Sequence, residues 1–323
     1  MSVATEDTAA PPRRLKLGLF LPFGELMLDG EVPRWSDLLA MAQLAEDEGF
    51  DSLWLGDHLL MDFRFHPSGA IGPWECWSLL AALAAVTRRV ELGPLVACTG
   101  FRNPALLAKM ADTIDEISGG RLVLGLGAGW SAREHRAFGY PYDHRVSRFE
   151  EAIQIIRPLL RDGRVDFAGR FYQARDCELR PRGPRAAGPP IMVGTARPRM
   201  LALTARYADQ WNTDWKSAAQ VGELQGAVDV ACADAGRDPA TLERTAAVAI
   251  VVPGMARRSA ISFPNAISGT TEELATQLRA YAAAGITHIQ ALLFPNTPAG
   301  IAAFAPVLPL LASGGSEPSA KPR

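Results

Sequence analysis

Cysteine is scarce in this chain. Cys76, Cys98, Cys177 and Cys232 stand scattered without paired spacing, which predicts neither a disulfide framework nor a zinc site and suits a reducing cytoplasm. An excess of charge of one sign is also lacking: 33 Lys and Arg stand against 35 Asp and Glu, a net charge of −2 with no basic stripe. Nucleic acid and anionic membrane surfaces are therefore not the expected partners, and a small molecule is. No stretch approaches the roughly 18 apolar residues of a membrane helix. Arg13-Arg14 precede a short apolar run that ends at Pro22 and carries no cleavage site, so the run reads as a first strand rather than a targeting signal.

What is present is a large apolar fraction, 48% of 323 residues, enough to bury a substantial core. Residues 1–14 and 313–323, rich in Ala, Pro, Thr, Gly and Ser, read as flexible ends around a single domain over 15–312. The most informative stretch runs from Ser118 to Trp130. Ahead of it, Asn103 and Pro104 mark a helix start, and Leu107, Met110, Ile114 and Ile117 recur at helical spacing until Gly119-Gly120. Val123, Leu124 and Leu126 then form a short buried strand, and Gly127 and Gly129 leave backbone bare at its end, where a ligand is expected.

The same alternation fills the chain. Strands are predicted at 16–21, 52–55, 91–96, 123–127, 191–193, 209–212, 246–252 and 288–293. Helices are predicted at 35–48, 75–87, 104–118, 146–162, 201–208, 217–235 and from 270, where Thr270-Thr271-Glu272-Glu273 is a capping box. Pro158 is expected to kink or shorten the fourth helix. Eight strand–helix units in this length predict an α/β fold, a single (β/α)8 TIM barrel with no second domain. Residues 163–190 break the rhythm between helix four and strand five. They read as an insertion, with 167–172 as a small hairpin.

Catalytic groups in such a barrel come from the carboxyl ends of strands. After strand two stands Asp57-His58. His58 is the candidate acid or base, because imidazole titrates near neutrality, and Asp57 is the second catalytic candidate, with loop orientation as its other reading. Glu134 and His135 lie further along, either on a short helix over a cofactor or on a solvated helix with Arg133 and Arg136. Gly194-Thr195-Ala196-Arg197 enters a helix, so its amides, hydroxyl and charge suit a phosphate, although an ordinary strand-to-helix turn looks the same. Trp130, Trp74, Trp77, Phe63 and Phe65 are candidate cavity walls, as against ordinary core.

Taken in order, Gly49-Phe50-Asp51-Ser52-Leu53-Trp54-Leu55-Gly56-Asp57-His58, Phe101-Arg102-Asn103-Pro104, Ser118 through Trp130 with Glu134-His135, and Ile191-Met192-Val193-Gly194 resemble the luciferase-like monooxygenase superfamily. Gly127-Ala128-Gly129-Trp130 followed by Glu134-His135-Arg136-Ala137-Phe138-Gly139-Tyr140-Pro141 is most similar to the branch that uses the deazaflavin coenzyme F420. The resemblance implies cofactor contacts at Asp57 and His58, at Val96-Ala97-Cys98, at Ala128-Gly129-Trp130 and at Gly194-Thr195-Ala196. It also implies hydride exchange between F420 and an organic substrate, and a strand-three bulge that can hold a non-prolyl cis peptide. Gly194-Thr195 departs from the family's commoner Gly-Gly. Three readings stay open: the F420 oxidoreductase, a monooxygenase using reduced FMN (FMNH2) supplied by a separate reductase, and a barrel that only binds a cofactor. Homodimers are common in the family. Phe63, Phe65, Met61, Met255 and Phe263, in loops expected to close the pocket, hint at a hydrophobic substrate.

Overall fold

The computed structural model describes residues 15–62, 69–255 and 263–312. The segments read as flexible ends, and Phe63 and Phe65, lie outside them. In chain order the strands are β1 (Lys16–Phe20), β2 (Ser52–Leu55), β3 (Met61–Asp62), β4 (Ala70–Ile71), β5 (Glu91–Pro94), β6 (Ala97–Cys98), β7 (Leu124–Gly127), β8 (Arg164–Ala168), β9 (Gln173–Glu178), β10 (Ile191–Gly194), β11 (Gln210–Asp214), β12 (Glu243–Val251) and β13 (His288–Phe294). The helices are α1 (Trp35–Glu48), α2 (Cys76–Val86), α3 (Pro104–Ser118), α4 (Ala132–Phe138), α5 (Arg145–Asp162), α6 (Pro198–Tyr207), α7 (Ala218–Asp234), α8 (Thr271–Ala283), α9 (Pro298–Phe304) and α10 (Val307–Ala312).

One parallel sheet runs in the order β5-β2-β1-β13-β12-β11-β10-β7-β6. Its ends meet: Leu92 of β5 bridges Leu122, just before β7, and β6 pairs with β7 at Ala97–Leu126 and Cys98–Gly127. β5 and β6 are therefore two halves of one stave, and the expected eight-staved (β/α)8 barrel is what forms. The helices pack neighbour against neighbour around it.

Local chemistry explains most boundaries. Asn103 caps α3 by accepting from the amides of Ala105 and Leu106, and Gly119 ends it at φ 67°. Thr270 and Glu273 form the capping box of α8. Glu151 on α5 accepts from the amides of Arg170, Phe171 and Tyr172 and so holds the β8–β9 turn, within the segment read as an insertion, against the barrel. β12 begins three residues earlier than expected because its polar start is satisfied: Glu243 accepts from Gln210 and Thr287, and Arg244 pairs with Asp229 at 2.5 Å. α5 runs through Pro158 to Asp162, so the proline does not shorten it. Its face of Phe149, Ile153, Ile156 and Leu160 is buried, and that burial outweighs one missing backbone donor.

The strand expected at 91–96 ends at Pro94, and the strand-three bulge that the resemblance implied is present. The stave breaks at Leu95–Val96, where the peptide is cis, and Val96 turns out of the ladder between β5 and β6. Its side chain occupies space that glycines leave free. A Cβ on Gly127 would lie 2.7 Å from Val96 Cγ2, one on Gly194 3.2 Å from Cγ1, and one on Gly125 2.1 Å from the Pro94 carbonyl.

At the opposite end of the staves, Ser52 Oγ lies 2.7 Å from Nε2 of the fully buried His288 and accepts from Trp54 Nε1 at 2.7 Å. Burial first, and the charge of Lys16 second, push His288 down from 6.5 to about 3.

Two outcomes follow from this packing. Gly125→Ala meets backbone that cannot yield and should lose about 1–3 kcal/mol, whereas Gly222→Ala on α7, with nothing within 4 Å, should gain about 0.5–1 kcal/mol; urea unfolding measures both. As pH falls below about 6.5 the unfolded chain protonates His288 while the folded chain does not until about 3, so stability is lost through that window. In His288→Gln the urea midpoint should depend less steeply on pH between 6.5 and 4.

Candidate active site

The carboxyl ends of the staves open into a cavity of about 710 Å3. Asp57, His58, Val96, Cys98, Ala128, Gly129, Trp130, Glu134, Gly194, Thr195 and Arg197 all line it. Two sequence candidates do not reach the wall. Ala97 is buried in the β6–β7 pairing, and Ala196 is exposed outside the lining.

His58 follows β2 and is held by a residue far along the chain. Its Nδ1 lies 3.1 Å from Glu134 Oε2, and its ring meets Trp130 edge-on at 5.5 Å. Glu134, 1% exposed on α4, also accepts from the amides of Leu59 at 2.6 Å and Leu60 at 3.0 Å. Burial alone would raise its carboxyl, but the His58 contact and the two amides outweigh burial and hold it below the usual range. A carboxylate accepting from Nδ1–H leaves Nε2 as the ring nitrogen without a protein partner among the described residues. His135, also on α4, is buried against Phe101 and Tyr142, with Nδ1 2.8 Å from the Ser131 carbonyl. α4 is thus the helix over the cavity, not the solvated one.

Asp57 is committed elsewhere. It takes both arms of Arg102 at 2.7 and 2.9 Å and the Cys98 amide at 2.9 Å, and Arg102 reaches on to Glu75 at 2.8 Å. Burial drives Asp57 above its ordinary value and Arg102 draws it back. The group clamps the end of β2 to β6. Burial pushes the Cys98 thiol up to about 12, so it is no nucleophile at neutral pH.

The loop after β7 is pinned from outside. Tyr142 Oη donates to the Trp130 carbonyl at 3.0 Å, and Arg145, stacked 3.9 Å over the Tyr142 ring, donates to the Gly129 carbonyl at 3.1 Å. Gly129 has φ 75°, and a Cβ there would lie 2.5 Å from Cys98 Sγ, so only glycine fits. After β10, Thr195 Oγ1 accepts from the Arg197 amide at 3.1 Å, and the Arg197 guanidinium has no protein partner among the described residues.

Sequence reasoning missed Arg102, Arg145, Asn212, Trp215 and Asn296. The first stood in plain view inside Phe101-Arg102-Asn103-Pro104; Asn212, Trp215 and Asn296 stand at or within three residues of predicted strand ends, which was the available signal, and Arg145 carries none. Trp74 and Trp77, expected as walls, are not: Trp74 donates to the Pro33 carbonyl and Trp77 packs under Arg102. Met61 and Phe263 line the cavity, and Met255 does not.

Glu134→Ala should cost about 2–3 kcal/mol at pH 7, because two loop amides and His58 lose their acceptor, and Glu134→Gln should recover part of it. A carboxyl held below its unfolded value near 4.5 stabilises above that value and ceases to do so as pH falls through the folded one. The gap between Glu134→Gln and the native protein should therefore close on acidification below about 4.5, read by urea unfolding.

Comparison with known proteins bears on the family and the fold. A family model described as luciferase-like monooxygenase matches residues 15–260. The chain is 33% identical over 231 residues to an F420-dependent hydroxymycolic acid dehydrogenase of Mycobacterium tuberculosis, covering 70% of this chain and 62% of the relative. It is 36% identical over 217 residues to the pyrimidine monooxygenase RutA of Methylorubrum extorquens, covering 62% and 56%. The matches thus span less than two thirds of these relatives' length. A solved F420-dependent secondary alcohol dehydrogenase shares the fold, with a TM-score of 0.78 at 20% identity over 92% of this chain and 99% of the other. With its barrel, its broken third stave and a match over most of its length, the chain belongs to the luciferase-like monooxygenase family.

Proposed function

We propose that the protein is an oxidoreductase that exchanges hydride between coenzyme F420 and an organic substrate at the barrel mouth. The observation that carries this reading is the His58–Glu134 pair, Nδ1 to Oε2 at 3.1 Å, set in the wall of a cavity of about 710 Å3. Hydride exchange with a carbonyl or alcohol requires a proton partner, and an imidazole oriented by a buried carboxylate supplies one at Nε2. F420-dependent relatives support the reading.

The residues present fit the cofactor. A cavity of this volume accommodates a tricyclic ring. Val96, at the break in the third stave, would hold the ring together with Trp130 and His58, all of which line the cavity. Arg197, at the start of α6, next to Thr195 and without a partner among the described residues, is placed for the phosphate. When bound, the deazaflavin gives or takes the hydride. The chain holds ring and substrate together, limits water and moves the proton through His58, with Asp57 as a positioning residue through Arg102 and Cys98.

The reading takes 15–312 as one domain with 163–190 inserted, in a cytoplasmic homodimer whose cofactor is reduced elsewhere. The four free cysteines are consistent with a reducing compartment, and no helix of the described residues is long and apolar enough to cross a membrane. The second reading, oxygenation with reduced FMN, is favoured by the likeness to a pyrimidine monooxygenase.

Titration of the purified protein with F420 and with oxidised and reduced FMN, followed by absorbance and fluorescence, separates the two. F420 binding in preference to FMN is expected, and a preference for reduced FMN would replace the first reading by the second. His58→Ala should bind F420 within a few-fold of the native affinity while turnover falls about 10²–10⁴-fold. Native turnover in that variant would remove His58 from the chemistry.

A further inference from the structure

The cavity wall divides into two arcs along the sheet order. The residues assigned above to cofactor follow β2, β6, β7 and β10, which are contiguous around one side of the barrel. The other side, built by the ends of β1, β13, β12 and β11, is different in chemistry. It presents Phe20, Phe23, Leu292, Phe294 and Trp215, joined by Phe263. The rings are in mutual contact: Phe20 meets Phe23 edge-on at 5.6 Å, Phe263 lies 4.4 Å from Trp215 and 5.8 Å from Phe294.

Asn212, Asp214 and Asn296 add polar groups to this largely aromatic arc, and of these only Asn296 carries a buried side-chain atom with no partner among the described residues. Asn296, just beyond β13, is 4% exposed and lines the cavity. Its Nδ2 donates to the Phe20 carbonyl at 2.9 Å. A carbonyl only accepts, so that contact fixes which end of the amide faces it, and Oδ1 is left as the other end. Oδ1 is buried and has no hydrogen-bond partner among the described residues. Buried polar atoms are almost always paired in a folded protein, so an acceptor held unpaired in a cavity wall by a fixed amide marks where a ligand donor belongs.

We infer that the β1–β13–β12–β11 arc is the substrate site, and that it takes a ring-bearing apolar molecule with one hydroxyl or N–H donated to Asn296 Oδ1. The inference rests on the reading that the opposite arc holds the cofactor. The aromatic surfaces take the body of the substrate by burial and edge contact and discriminate little between similar shapes. Asn296 supplies the discrimination, because a molecule of the same shape without a donor leaves Oδ1 unpaired in the complex.

The test uses 2-naphthol and 2-methoxynaphthalene, which share a bicyclic body and differ in the donor, titrated calorimetrically into the full-length protein with and without added F420. Binding of 2-naphthol about tenfold tighter than the ether is expected, with the preference retained when F420 is added. Equal affinities, no binding of either probe, or displacement of 2-naphthol by F420 overturns the inference. Asn296→Leu should weaken 2-naphthol about tenfold and leave the ether unchanged, and a preference that survives the substitution overturns the role of Asn296. The native comparison stands by itself if that variant does not fold. Failure of F420 to bind while the naphthol preference holds counts against the proposed function and not against this site.

Discussion

The placement of Val96 is the constraint around which the barrel mouth is arranged. The third stave breaks between β5 and β6, Val96 leaves the ladder, and the neighbouring staves make room by having no side chain at Gly125, Gly127 and Gly194. Close-packed interiors tolerate few alternatives to such an arrangement, because backbone carbonyls cannot move aside as a flexible side chain can. From that break β6 continues to Cys98, whose amide reaches Asp57, and through Asp57 the Arg102 clamp locks the end of β2. The residues that follow β2 and β7 are thereby held at fixed positions around one side of the cavity.

A second tie converts that scaffold into a site with chemistry. Glu134 sits on α4, whose start is set by Ser131 and whose other inward residue, His135, is anchored to the Ser131 carbonyl. From there its carboxylate reaches across to His58, Leu59 and Leu60. One buried charge thus orders a loop and orients an imidazole at once, and the His58 contact together with the two amides holds its carboxyl below the usual range. The opposite arc needs none of this. It is built from the ends of β1, β11, β12 and β13 and is largely aromatic, with Asn212, Asp214 and Asn296 among its lining, so the cavity carries a clamped half and an aromatic-rich half around one opening.

Much of the fold was legible because it rests on local signals. Asn103 with Pro104, Gly119, and the Thr270–Glu273 box marked helix ends that the structure places within a residue or two. The hairpin around Gly169 was visible for the same reason. The misreadings have a shared cause, which is long-range compensation. Pro158 was expected to kink or shorten the helix, but α5 with its buried face runs through it to Asp162. Glu243, Arg244 and Thr245 fell outside the apolar run predicted as a strand at 246–252, yet each finds a partner on another element. Residues 91–96 read as one strand because nothing local marks the turn at Val96. Gly127 and Gly129, read as bare backbone where a ligand is expected, line the cavity, and their missing Cβ atoms also make room for Val96 and Cys98.

By itself, the sequence determined the eightfold alternation, the ends of most elements and the motif order that places the chain in its family, since periodicity, capping and glycine act over a few residues. Asp57, His58 and the glycine loop could be named from their position after a strand. Only the tertiary structure decided their partners. His58 pairs with a carboxylate 76 residues away, Asp57 is committed to Arg102, and Asn296 meets a carbonyl 276 residues distant. Barrel closure brings those groups within hydrogen-bond reach, and no spacing along the chain encodes a contact that depends on closing the sheet.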